Sequence, residues 1–169
     1  ADVLTVVYNF VDALSHAKPD TEVVRELASD DSAYRRLVKT WLEGSPLLKM
    51  LQWASKQGFT VVLTTDHGTV NVHRPSKVVG TKHLTTNLRY KTGNGMSYQS
   101  KHSFVVKDPS VIGLPKQHIA DECIFALSDL FYVYPNRYNH FVQYYRNTYQ
   151  HGGVSLEELI IPYAVLTSK

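Results

Sequence analysis

One cysteine, Cys123, stands alone in 169 residues. A disulfide within the chain is therefore excluded, and a reducing, cytoplasmic setting is favoured. No apolar run approaches the roughly 20 residues needed to span a bilayer, so membrane insertion is not expected. A cationic, apolar leader is not expected either, since Ala1 is followed at once by Asp2 and a strand-like run. Internal repeats, low-complexity tracts and obvious linkers are absent. So is a strong charge of either sign: 18 basic and 15 acidic residues leave a formal net charge of +3. That mild excess suits an anionic ligand without pointing to one.

What is present describes a globular chain. Its length fits one domain with a real core, and 43% hydrophobic residues argue against disorder. "VLTVVYNF" (Val3 to Phe10) reads as a buried strand, rich in β-branched and aromatic residues. Asp20 and Thr21 mark a short helix through about Leu27. Asp31 or Ser32 starts another, with Tyr34, Leu37, Val38, Trp41 and Leu42 at helical spacing and Gly44 at its end. Ser45-Pro46 restarts the chain as N-cap and first helical residue. Leu47, Leu48, Leu51 and Ala54 share the buried face of that helix, and Gly58 follows it. "FTVVLTT" is the next strand. Strand, helices, strand in this order predicts a parallel pair with a right-handed crossover. The expected fold is therefore α/β, a mostly parallel sheet flanked by helices, with an antiparallel excursion between about Asn71 and Asp108. "DECIFAL", "LFYVY" and "IIPYAVL" read as further strands, and "YNHFVQYYRNTYQ" as a helix whose aromatic face packs into a core or an interface.

The strand Phe59–Thr65 runs straight into Asp66, His67 and Gly68. In open α/β sheets ligands sit beyond the carboxyl ends of strands. An adjacent oxygen and nitrogen donor suit Zn²⁺ or a similar ion, and a glycine lets the backbone pass close by. Taken alone, this is also an ordinary strand exit. The first strand ends similarly, with Asp12 and His16 four residues apart and thus on one helical face. A third metal-type side chain, His151, precedes Gly152-Gly153, although a histidine near a helix C-terminus has a common electrostatic use of its own. Three element ends each offering such side chains point to a shared cation pocket. His83, His102, His118 and His140 fit no such group, and Ser155 with Glu158 has capping-box spacing, which marks Glu157 and Glu158 as structural.

Asp-x-x-x-His, a strand ending in Asp-His, and a late His-Gly-Gly together resemble the alkaline-phosphatase superfamily. More narrowly, "NFVDALSH", "SPLLKMLQWASKQGFTVVLTTDHGTVNVHRP", "TTNLRYKTG" and "QHGGVSLEELIIP" are similar to the PglZ domain. Within it they look most like the C-terminal part of PorX-type response regulators, bacterial two-component proteins linked to type IX secretion. The resemblance implies an alkaline-phosphatase-like fold with two zinc ions, acting on nucleotide or oligonucleotide phosphodiesters. It implies that Asp12, His16 and His151 hold one zinc and that Asp66 and His67 help to hold the second. Arg74, Arg89 and Lys91, with His73, are the expected substrate-binding groups, because cations stabilise a phosphoryl transition state.

The superfamily's Thr or Ser nucleophile lies upstream of the Asp-x-x-x-His element and has no counterpart here. Thr64 and Thr65 read as strand residues. Residues 1–169 are thus expected to form the C-terminal portion of a PglZ domain, an incomplete half without the receiver domain or the nucleophile strand. A histidine kinase and sigma-factor-type signalling partners follow from the same resemblance, and a half-sheet with exposed edges invites homodimers. The rival expectation is a catalytically inactive signalling or dimerisation module with a residual metal site.

Overall fold

The computed structural model describes residues 3–80, 84–116 and 118–168. In chain order come helices α1 (Phe10–Asp20), α2 (Glu22–Leu27), α3 (Asp31–Gly44) and α4 (Pro46–Lys56). Strands β1 (Val61–Thr64), β2 (Val70–Val72), β3 (Arg74–Lys77), β4 (Tyr90–Gly93), β5 (Ser103–Val106), β6 (Glu122–Ala126) and β7 (Leu130–Val133) follow. Then come α5 (Tyr138–Tyr145), β8 (Thr148–Gln150), α6 (Leu156–Leu159) and β9 (Tyr163–Leu166). The chain divides into two compact units, one reaching Thr65 and resuming at Pro162, the other running from Asp66 to Ile161.

The first unit is helical. Asp30 caps α3 by accepting from the Ala33 N–H at 2.7 Å, and the Ser45 hydroxyl caps α4 by accepting from Leu48 at 3.3 Å. Pro46 occupies the first turn of α4, where its missing N–H costs nothing. Leu47, Leu48 and Leu51 are half-buried and Ala54 is buried, as their spacing predicts. Gly58, at φ +75°, turns the chain out of the helix. Helices α1 and α3 are tied by Tyr34, whose hydroxyl donates to the Val11 carbonyl at 3.1 Å and pairs with Ser15 at 2.7 Å. Phe10 stacks on Trp41 with ring centres 4.0 Å apart.

Two expectations are corrected here. Val3–Tyr8 forms no strand; it is irregular and exposed, and Phe10 already belongs to α1. Strand β1 pairs instead with β9, antiparallel, with Val61 opposite Leu166 and Thr64 opposite Tyr163. A strand-like composition cannot make a strand without a partner for its backbone groups. The mostly parallel sheet is likewise not what forms: among the described residues the sheets have two or three strands, and only β3–β7 is parallel.

The second unit carries the larger core. All four residues of β7 are buried, with Leu130 and Tyr132 in one cluster beside Val78 and Ile124, and Phe131 and Val133 in another beside Val70 and Val72. Alternation along one strand thus feeds two cores. Helix α5 packs Phe141, Val142 and Tyr145 onto the second. The helix expected over 138–150 stops at Tyr145, because Asn147 adopts φ +63° and Thr148–Gln150 pairs with β2. The antiparallel excursion is present as the three-stranded sheet β4–β6–β5.

Candidate metal centre

Strands β2 and β8 form a short antiparallel ladder, with Val70 opposite Gln150 and Val72 opposite Thr148. His67 lies just before β2 and His151 just after β8, so antiparallel pairing brings both to the same end. Their rings stack, with centroids 3.8 Å apart and planes 15° from parallel. The Nδ1 of His67 lies 3.0 Å from the Gly68 carbonyl, which can only accept, so Nδ1 carries the proton and Nε2 keeps the lone pair. A ring oriented through one nitrogen and open at the other is the usual state of a metal-binding histidine. Asp66, almost fully exposed, has one carboxylate oxygen 3.8 Å from that Nε2 and accepts from the His67 N–H at 3.1 Å.

Glycines let the chain make these turns. A Cβ on Gly68 would fall 2.0 Å from the Glu157 carbonyl oxygen, and the Gly68 N–H donates to the Glu158 carbonyl at 2.9 Å. Gly68 therefore allows α6 to pass, a closer need than passage near an ion. Gly152 has φ +102°, and a Cβ on Gly153 would meet Arg89 and Glu158 at 2.7 Å. Those two side chains form a buried ion pair. Arg89 Nε donates to Glu158 Oε1 at 2.8 Å and its Nη2 to Oε2 at 2.7 Å. Arg89 also donates to the carbonyls of Leu130 and Ala126. Glu158 in turn accepts from the N–H groups of Gly153 at 2.9 Å and Ser155 at 3.1 Å. Burial alone would raise the Glu158 pKa, but Arg89 and these donors outweigh it and hold the carboxyl below its ordinary range. The network fixes the turn that carries His151. Its one legible signal in sequence is Glu158 at the third helical position after Ser155.

The expected phosphate-binding cations are placed differently from one another. Arg89 and Lys91 are enclosed, at 0% and 1% exposure, so neither offers a donor to solvent. Lys91 donates to the Thr85 carbonyl at 2.7 Å and lies 4.5 Å from the centre of the Tyr134 ring. The half-buried positions of this stretch are Tyr90 and Thr92, which alternate with the two cations. His73 and Arg74 stand at the other end of the β2–β8 ladder from the histidine pair. His73 Nδ1 bonds the Asn147 side chain at 2.8 Å, and the Asn147 N–H donates to the Val72 carbonyl. Arg74 grips Asp129 through Nε at 2.6 Å and Nη2 at 2.5 Å, which lowers the Asp129 pKa.

In the helical unit, Asp12 and His16 share a face of α1, one carboxylate oxygen 3.4 Å from Nε2, as their spacing requires. The Thr64 hydroxyl donates to the Pro162 carbonyl at 2.8 Å, a structural use in keeping with its place in β1. His83 lies outside the described residues.

No curated protein matches this sequence. A family model does, described as the BREX system PglZ alkaline phosphatase-like domain, and it covers residues 1–167. With almost the whole length matched, the chain belongs to the PglZ family of alkaline-phosphatase-like domains.

Proposed function

We propose that this chain is part of a zinc-dependent phosphodiesterase domain acting on nucleotide or oligonucleotide phosphodiesters. The observation that carries the reading is the facing pair His67 and His151, oriented by Gly68 and by the Arg89–Glu158 turn, in a PglZ-family chain. Asp12, His16 and His151 are assigned to one zinc, and Asp66 with His67 to part of the second. Bound zinc supplies Lewis-acid stabilisation of phosphoryl oxygens and activates the attacking oxygen. The chain's own residues hold the ligands: Gly68 sets the His67 tautomer, and Glu158 locks the Gly153 turn behind His151. Arg89 acts as an internal support and Lys91 is enclosed, and His73 and Arg74 are assigned to shaping the opposite end of the ladder instead of gripping the reacting phosphate.

Within the family we place the chain with PorX-type response regulators, on the likeness of its motifs, with the histidine kinase and sigma-factor-type partners that this position implies. A non-catalytic signalling or dimerisation module is the second reading. It is favoured by the lack, among these 169 residues, of a counterpart to the superfamily's Thr or Ser nucleophile.

Zinc content after dialysis against buffered zinc tests the assignment. His67→Ala, His151→Ala and Asp12→Ala are each expected to weaken zinc binding roughly tenfold or more. Unchanged zinc in all three overturns the site. Hydrolysis of bis(p-nitrophenyl) phosphate by this chain and by its longer parent separates enzyme from module.

A further inference from the structure

The sheet β4–β6–β5 has one face in the core, through Ile124, Ala126 and Val105. On its other face the register sets Tyr90 opposite Phe125 and Phe125 opposite Phe104. Three aromatic rings therefore form a row across three adjacent strands, with successive centroids 6.3 Å apart. Core packing does not account for this row, since Phe104 is 52% exposed and Tyr90 and Phe125 are half-buried. Tyr90 and Phe125 also line a pocket of about 790 Å³, together with Thr92, Asn94 and Gly152. Gly152 directly follows His151, and a Cβ there would press on the Tyr90 ring at 3.1 Å. The row thus begins one residue from the candidate metal centre and leads away from it.

We infer that this outer face is a stacking platform for consecutive bases of a single-stranded oligonucleotide. Every base has a π-face, so a row of rings on a sheet accepts bases without demanding a sequence, and adjacent strands space the rings for successive nucleotides. The polar edge of Asn94 and Thr92 suits base and sugar groups, while a purely apolar groove would not. Exposed Lys101 precedes β5, and the net charge of +3 complements a phosphate backbone. Cleavage of a strand held here rests on the phosphodiesterase reading; its binding does not.

The test is fluorescence anisotropy of fluorescein-labelled hexathymidylate and hexariboadenylate with the full chain in EDTA, beside a labelled hexamer of abasic sites. Saturable binding of a base-bearing strand is expected, with the abasic strand at least about tenfold weaker. Phe104→Ala, a change at an exposed ring, is expected to weaken binding about tenfold. Amide shifts in the unsubstituted chain, mapped by NMR, provide a readout that does not depend on any variant folding, and are expected at Tyr90, Phe104 and Phe125. The platform is overturned by an absence of saturable binding, by equal affinity for the abasic strand, or by shifts confined elsewhere. Zinc content, measured separately, keeps the two readings apart. Bound zinc without strand binding sinks the platform alone, and strand binding without zinc sinks only the metal site.

Discussion

Lys91 is a buried ammonium whose observed contacts are a carbonyl and an aromatic face. Burial lowers its pKa from 10.5 to about 8. Below that value both folded and unfolded chains carry the charge, and the folded one bears the cost of desolvation. Between about 8 and 10.5 the unfolded chain binds more protons, so stability rises with pH. Tyr132 works the other way: burial pushes its phenol from 10.0 up to about 12, so above 10 the unfolded chain ionises first and stability falls. Urea midpoints followed against pH are expected to peak at about pH 10, where the rising and falling limbs meet. Lys91→Met should remove the rising limb and add on the order of 2 kcal/mol at neutral pH. Gly68 makes the opposite kind of demand. Gly68→Ala places a methyl where the Glu157 carbonyl stands, and a loss of about 1–3 kcal/mol in urea denaturation is expected, together with weaker zinc binding.

Among the elements, α6 and the entry to β4 are joined by Glu158 and Arg89. Removing one partner strands the other's charge in the core, so Arg89→Met should cost about 3–5 kcal/mol, read as a shift in urea midpoint. The double variant Arg89→Met, Glu158→Met should recover much of that loss. Because the Glu158 pKa is depressed below 4.5, its contribution is present above that value and disappears as pH falls through the lower folded pKa.

Elements with a local signature were legible in the sequence. The Ser45-Pro46 restart, the four buried residues of "LFYVY" and the i, i+4 pair on α1 follow from capping chemistry and periodicity. Pairing was not legible. "VLTVVYNF" carries strand propensity, yet β1 pairs with β9, and a partner nearly a hundred residues away leaves no mark in a short window. The donor types at His67 and His151 could be named from sequence, whereas the roles of Arg89 and Lys91 could not. A basic alternation along a strand looks the same whether its cations face water or a buried carboxylate.

Across the whole molecule, many large apolar side chains are exposed, among them Ile119 at 95%, Val3 at 87% and Leu156 at 70%. Charge is what keeps such surfaces apart, and the sequence pI lies near 8.9. Light scattering is therefore expected to rise to a maximum near pH 9 and to decline on either side, with self-association seen by sedimentation at the same point. Conformational stability and solubility thus favour different pH values, since the rising limb set by Lys91 spans the region where net charge vanishes.

The three-residue ladder between β2 and β8 joins histidines from distant parts of the chain. During synthesis the stacked rings cannot exist until residue 151 has left the ribosome and folded back. A nascent polypeptide cannot bring these two imidazoles together early, so any ligand that needs both must wait for the later one, and its binding is timed by translation itself.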